Sequence, residues 1–111
     1  MVTGELISEL RGRETDRLIE NVKKWGRNKG IDNPDKQALK LGEEYGELLH
    51  ELCRGRYQSD EVKDALGDIG IVWIILADIL GYDAMECLSE AYSIVEKRRG
   101  RTVSGTFIKD E

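Results

Sequence analysis

Two helical stretches decide the predicted fold: Leu41-Gly42-Glu43-Glu44-Tyr45-Gly46-Glu47-Leu48-Leu49 and Glu61-Val62-Lys63-Asp64-Ala65-Leu66-Gly67-Asp68. Each stretch places clustered carboxylates among apolar residues at helical spacing. A carboxylate is costly to bury unless a cation meets it. Two such helices therefore predict a fold built around a shared acidic site, and they suggest a bound metal ion.

The length and composition predict one small domain spanning residues 1–111. The chain has 111 residues, of which 40% are hydrophobic and 35% are charged. A chain this short buries only about two-thirds of its unfolded surface, so we expect a homo-oligomer. The net charge of -5 argues against a nucleic-acid backbone as the main partner.

Nothing in the sequence predicts export or membrane insertion. The first residues have neither a basic start nor an apolar core. The longest apolar run, Ile69 to Ala77, is too short to span a bilayer. Cys53 and Cys87 lack the spacing of a metal site and fit reduced thiols. We therefore expect a cytoplasmic protein with no membrane partner.

Cap and stop signals predict four helices. We expect helix one from Thr15 or Asp16 to Gly30, preceded by an arm or a single helical turn over residues 1–13. Asn33-Pro34-Asp35 starts helix two, which runs to about Cys53. Ser59-Asp60-Glu61 starts helix three, which reaches Leu80. Asp83 and Glu86 form a capping box at the start of helix four, which extends to Arg99.

Four helices with short connections are typical of an antiparallel bundle. The fold class is therefore all-α, an antiparallel four-helix bundle with a short extended C-terminal tail over residues 101–111. No part of the sequence predicts a β-sheet. Gly42, Gly46, Gly67 and Gly70 lie inside helices, which indicates close helix approach or room for a ligand.

Helical geometry sorts the carboxylates of the two stretches. Glu44 and Glu47 flank the core-facing side of helix two, whereas Glu43 points towards solvent. On helix three the main apolar stripe passes through Leu66 and Leu80. A second stripe carries Asp68 at the edge of a buried region, where its charge favours a divalent cation. Oxygen ligands of this kind suit Mg²⁺ or Mn²⁺.

Two further side chains are candidates for binding a phosphorylated ligand. Arg98 continues the core-facing stripe of helix four and could reach a phosphate, or it could simply favour the negative end of the helix. Trp25 closes the apolar stripe of helix one and is either a core residue or a platform for a base. His50 is the only histidine, which argues against a di-iron site and against a Ser-His-Asp triad.

These motifs resemble the MazG-like nucleotide pyrophosphohydrolases, which are all-α nucleoside triphosphate pyrophosphatases. The resemblance rests on Lys40 to Leu48 followed by Asp64 to Asp68, and it covers most of the chain. The segment Trp25 to Gln37 and the closing segment Glu86 to Phe107 look like the corresponding parts of small phage and prophage members.

The resemblance implies Mg²⁺-dependent hydrolysis of a nucleoside triphosphate, or its deoxy form, to the monophosphate and pyrophosphate. Glu44, Glu47 and Asp68 match the family's metal ligands. The fourth ligand position falls on Ala65, so Asp64 is expected to substitute, with Glu61 as the alternative. Relatives of this kind form dimers or tetramers.

Roles for the remaining residues follow from the same resemblance. Glu43 or Glu47 would deprotonate the attacking water. Lys40 and Arg98 would stabilise the phosphates, and Trp25 would stack on the base. The alternative is a non-catalytic metal- or nucleotide-binding regulator that kept the fold and lost turnover.

Overall fold

The computed structural model describes residues 3–111, which form four helices and one two-stranded sheet. The elements are α1 (Gly4–Asn28), α2 (Pro34–Cys53), α3 (Asp60–Ile79), α4 (Ala84–Val95), β1 (Gly100–Val103) and β2 (Thr106–Lys109). The predicted helical fold class is thus confirmed for most of the chain, with a small sheet added at its C-terminal end.

Three of the four predicted helix starts are correct because a side chain caps each of them. Asn33 Oδ1 accepts a hydrogen bond from the Lys36 amide at 3.0 Å. Ser59 Oγ accepts one from Val62, and Asp83 Oδ1 accepts one from Met85. Each acceptor satisfies an amide that has no partner within its helix. The predicted end of α2 at Cys53 is also correct.

The predicted start of helix one was wrong. The helix α1 begins at Gly4, where Thr3 Oγ1 accepts a hydrogen bond from the Leu6 amide at 3.2 Å. The part of the predicted arm that the structure describes is therefore helical, while Met1 and Val2 lie outside the described residues. No proline interrupts this segment, and Gly12 alone costs only about 1 kcal/mol of helix stability.

The end of the chain also differs from the prediction. Helix α4 ends at Val95 rather than Arg99. Residues 100–109 are extended, as predicted for the tail, but they pair as an antiparallel hairpin with Val103 opposite Thr106. Ser104 and Gly105 turn the chain with φ values of 49° and 80°, the left-handed pair of a type I′ turn. The Ser-Gly pair between short apolar segments was the signal for this hairpin.

The helix α3 is the centre of the fold. It packs along α2, and among residues 3–111 the backbones of α1 and α4 each approach only α3. The chain bends by 102° between α3 and α4, whereas antiparallel bundle neighbours lie within about 20° of reversal. The structure is therefore an α2–α3 pair with one helix added on each side.

The core is small, and the predicted main stripe of α3 is only partly buried. Leu66 and Leu80 of this stripe are 57% and 52% exposed, whereas Val62 of the same stripe is buried. The other buried residues of α3 lie outside this stripe. They are Ala65, Val72, Ile75 and Ala77, joined by Ile19 of α1 and Ala84 of α4.

Close helix approach occurs at one glycine, Gly26 of α1. A Cβ atom there would lie 3.1 Å from side-chain atoms of Ile75. At Gly42, Gly46, Gly67 and Gly70 a Cβ would meet nothing within 4 Å, so close approach does not explain those four glycines. The packing of α1 on α3 therefore depends on Gly26, which the sequence analysis did not single out.

An ion pair fixes the same two helices at a second point. Arg27 donates from Nε and Nη2 to the two carboxylate oxygens of Asp78, at 2.9 and 2.6 Å. The hydrogen bond from Arg27 lowers the pKa of Asp78 below its ordinary value. A two-point contact of this kind sets the rotation of α1 on α3 as well as its distance.

Within the described residues, no single helix is both long enough and apolar enough to cross a membrane.

Gly26→Val should destabilise the protein by about 1–3 kcal/mol, because the larger side chain must displace Ile75 from a packed contact. Gly42→Val is the matched control: it also places valine inside a helix, but at an exposed position with open space around it. Urea unfolding followed by circular dichroism measures both variants. Equal effects at the two positions would contradict the role given to Gly26.

The Arg27–Asp78 pair should make stability depend on pH in acid. Because the folded-state pKa of Asp78 is lowered, the pair stabilises the protein above the unfolded-state value of about 3.9. This stabilisation is lost as the pH falls through the lower folded-state pKa. The difference in unfolding free energy between wild type and Asp78→Asn should therefore shrink between about pH 5 and about pH 3.

The control for this measurement is Asp16→Asn, which changes an exposed carboxylate of α1. A pH dependence of the same size in this variant would show that the effect is not specific to the ion pair. A pH-independent difference for Asp78→Asn would show that the ion pair makes no electrostatic contribution.

Candidate functional site

The buried carboxylate of Glu44 is the central feature of the candidate site. Its side chain is 8% exposed, and Oε1 lies 3.4 Å from the Lys40 Nζ one turn earlier on α2. The other oxygen, Oε2, is buried without a hydrogen-bond partner among the described residues. An unpartnered buried carboxylate oxygen is costly, and that cost would be removed by a cation or a donor from a ligand.

Glu47 stands beside Glu44 on the same helix. The negative charge of the adjacent Glu44 raises the pKa of Glu47 above its ordinary value, and partial desolvation raises it further. Lys40 opposes this shift, while the charge of Asp68 on α3 adds to it. Three carboxylates from two helices are therefore close enough to repel one another.

A cavity of about 690 Å³ opens on one side of this cluster. Trp25 of α1 and three residues of α3 contribute apolar surface, and α2 with the loop before it contributes most of the polar residues. Its lining comprises Trp25, Gly30, Ile31, Asp32, Asn33, Lys36, Gln37, Lys40, Glu44, Asp68, Ile71, Val72 and Ile75. An apolar cleft with convergent polar groups is the usual form of a small-molecule site.

A second cavity, of about 640 Å³, opens on the other side and is almost entirely acidic. Its lining comprises Glu43, Gly46, Glu47, His50, Glu51, Glu61, Asp64, Ala65 and Asp68. Asp68 lines both cavities. The acidic cluster therefore lies at the junction between an apolar cleft and an acidic one.

The structure brings together most of the residues proposed from the sequence. Glu43, Glu47, Asp64, Asp68 and Glu61 share the acidic cavity. The apolar cavity contains Trp25, Lys40 and Glu44, together with Asp68. The two predicted substitutes for Ala65, Asp64 and Glu61, both face the acidic cavity, so the structure leaves that choice open.

The candidate residues differ in their exposure. Asp68 is exposed and lies at the edge of the buried part of α3, as expected, whereas the carboxylate that is itself buried is that of Glu44. Glu43 is exposed, as expected, and its Oε2 lies 3.5 Å from the Lys40 Nζ. Trp25 is 50% exposed, so it is available to a ligand and is not a core residue.

Arg98 is not part of this site within one chain. It lies beyond the end of α4 and is exposed, and it lines neither cavity. The prediction that it points into the pocket depended on α4 continuing to Arg99. Since α4 ends at Val95, its core-facing stripe ends before Arg98.

Lys36 and Gln37 are two polar residues of the apolar cavity that were not proposed as site residues from the sequence. Lys36 lies one turn before Lys40 and makes no ion pair among residues 3–111. Gln37 is buried, and its Nε2 donates to the Val72 carbonyl of α3 at 3.3 Å. The four-residue spacing of the two lysines was the signal for Lys36, whereas a buried glutamine has no comparable signal in the sequence.

The donor set suits a hard divalent cation, although the described side chains do not form a closed cage. Within residues 3–111, no group of three or more histidine, cysteine, aspartate or glutamate side chains is positioned to hold a metal ion. Mg²⁺ is usually held by one or two carboxylates, with waters and substrate phosphate completing its shell. The unpartnered Oε2 of Glu44, next to two further carboxylates, fits that mode of binding.

The chain resembles a phage protein. It is 34% identical over 67 residues to an uncharacterized 18.2 kDa protein in the rep-hol intergenic region of Haemophilus phage HP1 (strain HP1c1). The match covers 58% of this chain and 40% of that relative, so the chain spans well under half of the relative's length. No family model matches the chain, and no solved structure matches it.

Glu44→Gln should lower the pKa of Glu47 towards its ordinary value, because the charge of Glu44 is the largest cause of the rise. Carbon-13 NMR of the side-chain carboxyls, recorded without divalent metal, measures this pKa directly. Glu43→Gln is the matched control, since Glu43 does not contribute to the shift. An unchanged pKa of Glu47 in Glu44→Gln would contradict the coupling between the two carboxylates.

Proposed function

We propose that this protein hydrolyses nucleoside triphosphates, or their deoxy forms, to the monophosphate and pyrophosphate, as a MazG-like enzyme that requires Mg²⁺ or Mn²⁺. One observation carries the proposal: the buried, unpartnered Oε2 of Glu44 lies beside Glu47 and Asp68 where an apolar cleft meets an acidic one. A nucleotide has the matching chemistry, with an apolar base at one end and a phosphate chain that carries divalent cations at the other.

Glu44, Glu47 and Asp68 would hold the cation, with Asp64 or Glu61 contributing from the acidic cavity. When bound, the ion would neutralise charge on the triphosphate and acidify a water molecule.

Glu47 is better suited than Glu43 to accept a proton from the attacking water. Glu47 lies beside Glu44 and within reach of the charge of Asp68, where the cation would be held. Glu43 is exposed and paired with Lys40. The water oxygen forms a bond to the α-phosphorus, and the bond from that phosphorus to the α–β bridging oxygen breaks. Pyrophosphate leaves, and the proton of the water passes to Glu47.

The nucleoside would occupy the apolar cavity. Trp25 and Ile71 are exposed at its mouth and offer flat apolar contact to a base. Lys36 and Lys40 lie one turn apart on the same cavity wall, where they would meet the phosphates. Lys40 must exchange its contacts with Glu43 and Glu44 for phosphate oxygens, which would free both carboxylates as the substrate binds.

The arrangement of the helices as an antiparallel four-helix bundle is also part of this proposal. Among residues 3–111 of one chain, α1 and α4 approach only α3, so a complete antiparallel four-helix bundle would have to include helices of a second copy. A homo-oligomer, dimeric or tetrameric, would supply them.

A non-catalytic nucleotide- or metal-binding regulator is the second candidate. The observation that favours it is Ala65, which is buried between the two acidic helices at the position where the resemblance places a metal ligand. Such a protein would bind a nucleotide in the same cavity without turnover.

Pyrophosphate release from a panel of ribo- and deoxyribonucleoside triphosphates, with Mg²⁺, tests the enzyme against the regulator. We expect release from at least one nucleotide, and Asp68→Asn should lower kcat/KM by about 100-fold or more, because it removes a carboxylate that lines both cavities. Glu90→Gln changes an exposed carboxylate of α4 outside both cavities and should have no effect.

Asp64→Asn and Glu61→Gln are measured in the same assay. The variant that loses activity identifies the carboxylate that replaces the metal ligand expected at the position of Ala65. Nucleotide binding without release of pyrophosphate from any member of the panel would establish the regulator instead. Full activity in Asp68→Asn would show that the acidic cluster is not the reaction centre.

A further inference from the structure

Among the described residues, Gln37 and Glu44 are the buried polar side chains, and both line the apolar cavity. Gln37 is 7% exposed and donates from Nε2 to the Val72 carbonyl at 3.3 Å. A carbonyl oxygen can only accept a hydrogen bond, so the nitrogen of the Gln37 amide must face this carbonyl. The side-chain oxygen, Oε1, is then turned away from it. The hydrogen bond therefore fixes which end of the amide is available to a ligand.

The side-chain oxygen of Gln37 is an unused acceptor. Among residues 3–111 it accepts no hydrogen bond. It is also not sealed inside the protein, because the only enclosed side-chain oxygen without a partner in this range is Oε2 of Glu44. A leucine would fill a similar space without the cost of burying an amide. Gln37 thus presents one acceptor atom, in a fixed direction, to a ligand in the apolar cavity.

The position of Gln37 on α2 separates this acceptor from the acidic cluster. Gln37 and Glu44 are seven residues apart, so they lie on the same side of the helix and about 10.5 Å apart along its axis. Lys40 lies between them and lines the same cavity. Phosphates that meet Lys40 and the cation ligands would therefore leave Gln37 to the other part of a nucleotide, the nucleoside.

The Gln37 end of the cavity is also the end that α1 covers. Val72, which accepts the hydrogen bond of Gln37, lies one turn before Ile75, and Gly26 of α1 packs against Ile75. Trp25 precedes Gly26 and lines the same cavity. A base that stacks on Trp25 would therefore lie within reach of the Gln37 acceptor.

We infer that Gln37 selects nucleotides whose base carries an exocyclic amino group at its far edge, as cytosine and adenine do. This role depends on the proposed function, because it assigns the base end of the same site. The amino group donates to Oε1, whereas uracil, thymine and guanine carry an oxo group there, which is itself an acceptor. Two facing acceptors repel each other and both stay unpartnered, which is costly in a buried site. A purely structural role for Gln37, joining α2 to α3, gives no such preference.

Matched pairs of nucleotides test this preference, because the two members differ only in an amino or an oxo group. dCTP is compared with dUTP, and dATP with its hypoxanthine counterpart dITP, by pyrophosphate release with Mg²⁺. Wild type should favour the amino member of each pair by about 10-fold or more in kcat/KM. Gln37→Leu should abolish the preference, because leucine offers no acceptor.

Lys36→Met is the matched control. Lys36 lines the same cavity and would meet the phosphates, which are identical in the two members of a pair. This variant should lower kcat/KM for both members and leave their ratio unchanged.

The ratio within a pair is the decisive measurement, because a loss of folded protein lowers the activity on both members alike. Should Gln37→Leu fail to fold, Gln37→Asn replaces it: asparagine keeps an amide but withdraws the acceptor by one methylene, so the preference should again be lost. Equal activity of wild type on both members, or a preference for the oxo member, would overturn the inference. So would an amino preference that the Gln37 variants retain.

Calorimetric titration with the α,β-methylene analogues of dCTP and dUTP, in the presence of Mg²⁺, separates the role of Gln37 from the proposed hydrolysis. These analogues carry a carbon in place of the bridging oxygen and are not cleaved there. Wild type should bind the dCTP analogue about 10-fold more tightly than the dUTP analogue. Such a preference without hydrolysis of any natural nucleotide would overturn the proposed hydrolysis and support the role of Gln37. Hydrolysis without a base preference would do the opposite.

Discussion

The packing of α2 against α3 is the contact on which the rest of the structure depends. It is held at one end by the buried hydrogen bond from Gln37 to the Val72 carbonyl. That bond places the first turns of α2 beside the last turns of α3, so the two helices run antiparallel. Glu47 then necessarily lies near Ala65 and Asp68, and the acidic cluster follows from the register of the pair. The other helices add to this pair without contacting each other.

This register also explains why one carboxylate is buried and its neighbours are not. Glu44 lies on the side of α2 that meets α3, whereas Glu43, one residue earlier, is turned about 100° away towards solvent. The Lys40 ammonium reaches only one oxygen of Glu44, which leaves the other unpartnered. A structure that needed no ligand would be more stable with an uncharged residue at this position. Retaining a charge there is consistent with a cation or a polar ligand that completes the site.

The sequence predicted the central pair well because its signals are local. Asn33 and Ser59 cap their helices, and the angular position of a carboxylate follows from helical periodicity alone. The sequence also placed a buried region after Asp68, and Val72, Ile75 and Ala77 are buried there. It did not predict that Leu66 and Leu80 are exposed, since that depends on where the other helices dock. Arg98 lies outside the site because α4 ends at Val95 and the chain continues into the local hairpin of β1 and β2.

The groups of the candidate site lie on the part of the fold that is packed most closely. The proposed cation ligands, the general base and both lysines lie on α2 and α3, and Trp25 lies on the part of α1 that Gly26 and Arg27 fix to α3. Each of these groups is therefore positioned by contacts within one chain. Arg98 is the exception, because it lies beyond the end of α4 and lines neither cavity.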